Sequence, residues 1–334
     1  MRVMVLGGTR FVGAAIAEEL HAHGHELLLV HRGEHELDGA AGAADHLHAE
    51  RRDLPHLRGA VADFDPEAMV DTSAMTAADA ETALAAVDDG TRLLVLSSMD
   101  VYRAYGAVLA RTETDAVPLD ETAPVRAERY PYRGHPTYGG QPWAQDYEKL
   151  DVEAAYLARE ATVCRLPMVY GERDYQRREE PILRRVRAGR DRVPTGAGGW
   201  LWTRGYVRDV AAGVRLALES EAAVAEVLNL GEARTWTMGL WARHVLEAAG
   251  STAELVRVPD VLLPDDLQPL GSVAQHLLVD SSKASDLLGW EETDPHEALR
   301  RSVAWHLAHP PADASDDFSA DDRALDPANW PKLP

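Results

Sequence analysis

Val3, Met4, Val5 and Leu6 form an apolar run with neither a two-residue nor a 3.6-residue period, the pattern of a strand buried on both faces. Gly7-Gly8 ends the run, and Phe11, Val12, Ala14, Ala15, Ile16 and Leu20 then recur as the inner face of a helix. Glu26-Leu-Leu-Leu-Val30 predicts a second strand, and Ala68-Met-Val-Asp71 and Leu93-Leu-Val-Leu96 predict the next two. Between the last pair, the alanine-rich residues 74–87 fit a crossover helix. The repeating order of strand, helix and strand predicts an α/β fold with a doubly wound parallel sheet.

Beyond residue 100 the pattern is less regular. Residues 111–138 are rich in Pro, Glu, Asp and Arg and read as a loop excursion over the cleft. A helix is expected over 142–160, with Tyr147, Leu150, Ala154 and Leu157 on one stripe. Strands are expected over 163–171, 227–230 and 277–280, and helices over 207–218, 236–249 and 295–308, with a further helical start at Ser281. From Pro310 onward Pro, Asp, Ala and Ser dominate, so an irregular tail is expected, with Trp330 as its anchoring contact. The chain divides into a dinucleotide-binding core (1–170), a mainly substrate-binding region with segments returning to the core (171–309), and the tail (310–334). Neither an internal repeat nor a metal cluster stands out.

The candidate chemistry starts at the first turn. A strand, a tight glycine turn and a helix in that order leave backbone N–H groups facing a ready anion site, and a dinucleotide pyrophosphate is its usual occupant. Gly7, Thr9, Arg10, Phe11, Val12 and Gly13 are the candidate contacts, with Arg10 where a middle glycine would stand. Arg10 can meet a phosphate through a charge-assisted bond. At the end of the second strand an NAD site would carry an acidic residue, but the chain reads His31-Arg32-Gly33. Arg32 therefore favours NADP, with NAD as the alternative. Glu50 and Arg51 either edge the adenine pocket or belong to a charged surface loop.

Composition narrows the partners. Against 34 Lys and Arg stand 55 Asp and Glu, a formal charge of −21, which disfavours nucleic acid and anionic membranes. The Arg177, Arg178, Arg184, Arg185, Arg187 and Arg190 run could bind a nucleotide diphosphate or be a solvated helix face. Trp200 and Trp202 could cover a substrate or line one face of a strand. No basic leader with an apolar segment opens the sequence and no run is long enough to span a bilayer, so a cytoplasmic location is expected. The single cysteine, Cys164, lies in an apolar run and reads as a buried, inert thiol.

Six segments together carry a resemblance: Gly7-Gly-Thr-Arg-Phe-Val-Gly13, Ser97-Ser-Met-Asp-Val-Tyr102, Lys149-x-x-x-Glu153, Arg165-Leu-Pro-Met-Val-Tyr-Gly171, Arg204-Gly-Tyr-Val-Arg-Asp209 and Asp280-Ser-Ser-Lys283. In their order and intervals, over about residues 1–309, the chain resembles the extended short-chain dehydrogenase/reductase superfamily, which includes nucleotide-sugar epimerases and dehydratases on a Rossmann core. The resemblance implies that Ser98 hydrogen-bonds the substrate oxygen, with Ser97 beside it. It implies that Lys149 contacts the nicotinamide ribose and lowers the pKa of a catalytic tyrosine, and that Leu166 and Pro167 border the nicotinamide. Arg204 and Asp209 take substrate-side and cofactor-side structural roles by the same likeness, and a homodimer is the family expectation.

The departure is at the tyrosine. The family pattern Tyr-x-x-x-Lys places a phenol at 145, where this chain has Gln145-Asp146-Tyr147-Glu148-Lys149. A neutral amide cannot exchange a proton as a phenol does. On a regular helix Tyr147 would lie about 200° around from the position two residues before it. Three alternatives stand: Tyr147 acts because the helix begins irregularly; another group, Asp100, Tyr102 or a tyrosine of the 130–138 loop, acts instead; or the standard relay is absent. The expected function is an NADP-dependent oxidoreductase or epimerase acting on a secondary alcohol–carbonyl pair of a small-molecule substrate, possibly a nucleotide sugar. The alternative is a catalytically silent dinucleotide-binding regulatory protein, because family relatives with a Gly-Gly-Thr-Arg-Phe loop and no such tyrosine resemble chloroplast RNA-binding proteins.

Overall fold

The computed structural model describes residues 1–135, 138–313 and 315–331. The expected alternation is present: β1 (Arg2–Leu6), α1 (Phe11–Ala22), β2 (Glu26–His31), β3 (Asp45–His48), α2 (Arg58–Phe64), β4 (Ala68–Asp71), α3 (Ala77–Leu84) and β5 (Arg92–Ser98). There follow α4 (Arg103–Ala110), α5 (Lys149–Leu157), β6 (Thr162–Leu166), β7 (Met168–Tyr170), α6 (Glu180–Arg187), β8 (Arg192–Thr195), β9 (Arg204–Tyr206) and α7 (Val207–Glu219). The chain continues through β10 (Val227–Asn229), α8 (Met238–Ala248), β11 (Glu254–Arg257), α9 (Ser282–Leu288), α10 (Pro295–Ala308) and α11 (Ser319–Leu325).

Among the described residues, seven strands form one sheet in the order β10-β6-β5-β4-β1-β2-β3. All its pairings are parallel. Both faces of such a sheet are covered, which is why β1 reads as an unbroken apolar run. Val3 and Val5 join one core with Ile16, Leu20 and Val214, while Met4 and Leu6 join the other with Ala80, Val152 and Tyr156. The strand order reverses between β1 and β4, and the crevice at that reversal is where ligands bind in doubly wound sheets. Two small parallel pairs, β7 with β9 and β8 with β11, extend the fold beyond the large sheet.

Four expectations need correction, the first being the strand over 163–171, which divides at Pro167 into β6 of the large sheet and β7 of the β7–β9 pair. The helix expected over 142–160 is broken: a 3-10 turn covers Pro142–Gln145, and α5 begins only at Lys149. Glu148 is extended (φ −154°, ψ 92°) and caps α5 by accepting from the Leu150 N–H at 3.0 Å. Residues 277–280 form isolated bridges, Leu277 with Trp202 and Val279 with Leu119, rather than a strand of their own. The tail is ordered around α11: Asp321 is fully buried and pairs with the equally buried Arg185 at 2.6 Å. A buried ion pair had no signature in a segment whose composition read as irregular. Trp330 does anchor, donating to Ala324 O at 2.9 Å. Within the tail, residues 314 and 332–334 lie outside the described part.

Candidate active site

The first turn is built for an anion. Gly7 has φ +86°, and a Cβ there would stand 2.6 Å from Thr72 Oγ1. A Cβ on Gly13 would meet the Gly7 carbonyl oxygen at 2.1 Å, so only glycine lets α1 start this close to the turn. Arg10 is the α1 N-cap but makes no side-chain cap bond, and no acidic residue occupies the first turn. The leading N–H groups and the positive end of the helix dipole are therefore left for a ligand. These features fit a dinucleotide pyrophosphate.

The turn opens into a cavity of about 560 Å³. It is lined by Gly7, Thr9, Arg10, Phe11, Val12 and Gly13, and also by Arg32, Glu50, Arg51, Ser97, Lys149 and Leu166. Sequence reading had named all of these; Pro167, named with them, is not in the lining and packs against Gly205 and Gly231. Arg10 lies over the Tyr175 ring, 4.7 Å from its centroid. Arg32, more than half exposed, is held by Glu34 at 2.8 Å. Arg51 is largely committed inside the protein. It grips Asp71 through bonds of 2.7 and 2.6 Å and donates to Ser73 Oγ at 2.7 Å. Burial alone would raise Asp71, but the Arg51 charge, with bonds from Arg51, Tyr156 and Ser73, holds its carboxyl below the ordinary range.

Lys149 sits at the floor of the same cavity. Its Nζ donates to Ala74 O at 2.6 Å and Leu96 O at 2.9 Å, leaving one N–H of its three. Burial pulls its pKa below the usual lysine range, against the opposing pull of Asp71 and Asp100. Ser97 is tied to Glu153, with 2.6 Å between Oγ and Oε1, and Glu153 in turn holds Arg165. That leaves Ser98 as the serine at the strand end, where it accepts from the Asp100 N–H at 3.2 Å.

Beside Ser98 lies a group that spacing alone could not assemble. The Tyr147 hydroxyl donates to Asp100 Oδ2 at 2.7 Å, and the Tyr132 hydroxyl donates to the same oxygen at 2.9 Å. Tyr105 is 3.0 Å from Tyr132. Because α5 starts at Lys149, Tyr147 precedes the helix, and the 200° separation of a regular helix does not apply. Burial raises the Asp100 pKa in spite of the bond from Tyr147, the Arg126 charge and the bond from Tyr132. Burial, then the Asp100 charge, pushes Tyr147 well above a free phenol, with the neighbouring Ser98 hydroxyl, as donor, opposing. Asp100 Oδ1 is buried without a hydrogen-bond partner among the described residues. The arrangement can store and pass a proton between a carboxyl and a phenol.

Tyr102 does not join this group. It is fully buried, with its hydroxyl on Asn229 Oδ1 at 2.8 Å. Gln145 points elsewhere as well, donating to Gly139 O. Arg126 was not foreseen: it is buried, bonded to Glu148 at 2.6 and 2.9 Å, and donates to Asp100 O at 2.9 Å, fixing the loop that carries Tyr132. A lone arginine in an aperiodic segment gave no sign of this.

A second cavity, about 870 Å³, is lined by Tyr138, Met168, Tyr175, Trp202 and Trp241, with Arg177, Arg178 and Arg184. Of the basic run, Arg184 and Arg185 are paired with Asp266 and Asp321, Arg187 with Glu180, and Arg190 with Asp322. Arg177 Nη1 is buried without a partner among the described residues, while its Nη2 donates to His309 O at 2.7 Å. Arg204 lies over Trp241, its pKa lowered to about 10 by burial, and Asp209 is bonded to Thr293. Trp200 and Trp202 pack with centroids 4.7 Å apart and their planes tilted by 40°. The buried Cys164 thiol is pushed up to about 12 by desolvation. No helix among the described residues is long and apolar enough to cross a membrane.

Comparison with known proteins agrees with the fold. The chain is 24% identical over 341 residues to the chloroplast stem-loop binding protein of 41 kDa b of Arabidopsis thaliana, covering 97% of this chain and 84% of that protein. Solved structures with the same fold include a UDP-glucose 4-epimerase with UDP-glucose from Thermotoga maritima, at TM-score 0.67 and 21% identity, covering 92% of this chain and 99% of that one. They also include a dTDP-glucose 4,6-dehydratase from Bacillus anthracis in complex with NAD, at TM-score 0.67 and 15% identity, covering 93% and 97%. The family model described as NAD dependent epimerase/dehydratase family matches residues 3–231, more than half the chain, and to that family the protein belongs.

Proposed function

We propose that this protein is an NADP-dependent oxidoreductase or epimerase acting on the secondary alcohol–carbonyl pair of a nucleotide sugar, with Tyr147 and Asp100 moving the proton. The observation that carries this reading is the Tyr147–Asp100 hydrogen bond beside Ser98, at the carboxyl end of β5. When bound, a nicotinamide would take up or return the hydride of the carbinol carbon. Gly7, Gly13 and the N-terminal N–H groups of α1 would hold the pyrophosphate, and Lys149 would offer its remaining N–H to the ribose. Ser98 donates to the substrate oxygen and polarises it. As that oxygen becomes a carbonyl, its proton passes to Tyr147, whose own proton moves onto Asp100; the reverse transfer completes the return step. Burial has raised the Asp100 pKa, which makes the carboxyl a fit acceptor.

Two features support the finer assignments. Arg32 and Arg10 line the cavity that would hold the adenosine end, and either can meet a 2′-phosphate. The second cavity sets arginines beside aromatic faces, a surface suited to a nucleotide diphosphate and its base. Trp202 Nε1 reaches Met99 Sδ at 3.2 Å, which joins this region to the β5 loop. Residues 171–309 then act mainly as the substrate-binding part, and the family habit of homodimers extends to this chain.

Binding of NADP and NAD to the wild type and Arg32→Ala, followed by a panel of nucleotide sugars monitored for reduced-nicotinamide absorbance and for epimeric product, tests the proposal. Tighter NADP binding that Arg32→Ala selectively weakens supports it. Equal affinity for both dinucleotides removes the NADP preference. Tight dinucleotide binding without turnover across the panel points to the second reading, a silent dinucleotide-binding protein. That reading is favoured by Gln145 at the tyrosine position and by the likeness to a protein named for stem-loop binding. The charge of −21 opposes extending that likeness to RNA.

A further inference from the structure

Four residues spread over eighteen positions, His31, Glu36, His46 and His48, meet at the open edge of the large sheet. Their spacing matches no compact ligand motif, which is why sequence reading found no metal cluster. The parallel register supplies what spacing does not. β2 and β3 pair His31 with His48 and Leu29 with His46, so the two β3 histidines share one face and His31 lies alongside them. The connection between the strands brings Glu36 over the three rings.

The geometry points to a site for a zinc-class divalent transition cation held by three imidazoles and one carboxylate. One donor atom from each residue lies within 4.8 Å of every other. His46 Nδ1 is 3.4 Å from Glu36 Oε2, His48 Nε2 is 3.2 Å from Glu36 Oε1, and His31 Nε2 is 3.8 Å from Glu36 Oε2. A tetrahedral ion with bonds of about 2.0–2.1 Å requires donors about 3.3 Å apart, so small side-chain movements close the set. A donor set of three imidazoles and one carboxylate suits zinc and its neighbours rather than magnesium or calcium, which prefer oxygen.

The closest pair of donors is imidazole to imidazole. His31 Nε2 and His46 Nδ1 are 2.7 Å apart, too close for two facing lone pairs, so either a proton or a cation must lie between them. A metal takes the place of that proton. Coordination through His31 Nε2 puts its ring proton on Nδ1, and the Gly33 N–H, now 3.2 Å from Nδ1, has to turn away. Gly33 can do so because it sits at φ +78° in an exposed turn. His46 is already oriented by Gly42 O, 3.2 Å from its Nε2, as ligating histidines generally are by a second partner. Glu36 and His48 are each more than half exposed, which gives the ion a way in.

The test uses the full chain without a polyhistidine tag, treated with a chelator and titrated with zinc chloride by calorimetry. The expected result is one equivalent bound, with affinity falling about tenfold or more in His46→Ala and in His48→Ala and unchanged within about twofold in His244→Ala. His48 is exposed, so its variant retains the fold, checked by circular dichroism. Cobalt(II) in place of zinc should give the strong visible bands of a four-coordinate ion. Zinc binding that both β3 variants leave intact, or binding in the wild type no tighter than in His48→Ala, overturns the proposal. Neither readout depends on turnover, so failure here leaves the proposed reaction untouched.

Discussion

The Tyr147 hydroxyl donates to Asp100 Oδ2 across 2.7 Å, joining two buried residues 47 positions apart. The bond exists because Glu148 is extended and α5 starts one residue later, which releases Tyr147 from helical geometry. If this pair moves the proton, Tyr147→Phe and Asp100→Asn should each lower turnover about 10²- to 10⁴-fold while dinucleotide affinity stays the same. Gln145→Ala should be nearly silent, because that side chain is exposed and, among the described residues, bonds to Gly139 O rather than to the Asp100 group. Steady-state rates and dinucleotide titrations check this. A larger loss from Gln145→Ala than from Tyr147→Phe would remove the pair from the mechanism.

Lys149 separates binding from folding. Lys149→Met strands the Ala74 and Leu96 carbonyls, at about 1–3 kcal/mol each, but also removes a buried ammonium, so the two effects oppose. Thermal stability should change little, whereas loss of the bond to the ribose should weaken dinucleotide binding about tenfold or more. A large fall in melting temperature with unchanged affinity would make Lys149 a structural staple instead.

The tail is predicted to be part of the folded unit. Asp321→Ala leaves the buried Arg185 with Asp266 as its remaining acid, which should cost about 3 kcal/mol in urea unfolding. Trypsin should then cut near Arg323 faster than in the wild type. Unchanged stability and cleavage would show that α11 docks without this pair.

Glu179 should make stability depend on pH. It is fully buried, with Oε1 accepting from Ser302 at 2.6 Å, and desolvation pushes its pKa up to about 7. The folded protein thus retains a proton that the unfolded chain releases at an ordinary carboxylate pKa. Stability from the neutral carboxyl is complete below that ordinary value and is lost as pH rises through about 7. Glu179→Gln copies the neutral form, so it should raise the melting temperature at pH about 8 and change little at pH about 4.5, with a difference of at most about 3 kcal/mol. Equal effects at both pH values would mean the carboxyl titrates normally.

The strands and the first turn were legible because their signals are local. An unbroken apolar run states that both faces are covered, and Gly7 and Gly13 state that backbone comes too close for a Cβ. The α1 turn was readable for that reason, as was α10, whose limits fall on 295–308 as its periodicity indicates. Only tertiary structure decided what depends on long-range pairing. The break before α5, the convergence of Tyr132 and Tyr147 on Asp100, and the seat of Asp321 under Arg185 come from segments brought together by the sheet. The histidines of β2 and β3 make the same point: strand register, a property of two hydrogen-bonded segments rather than of either sequence, places them within reach of one ion.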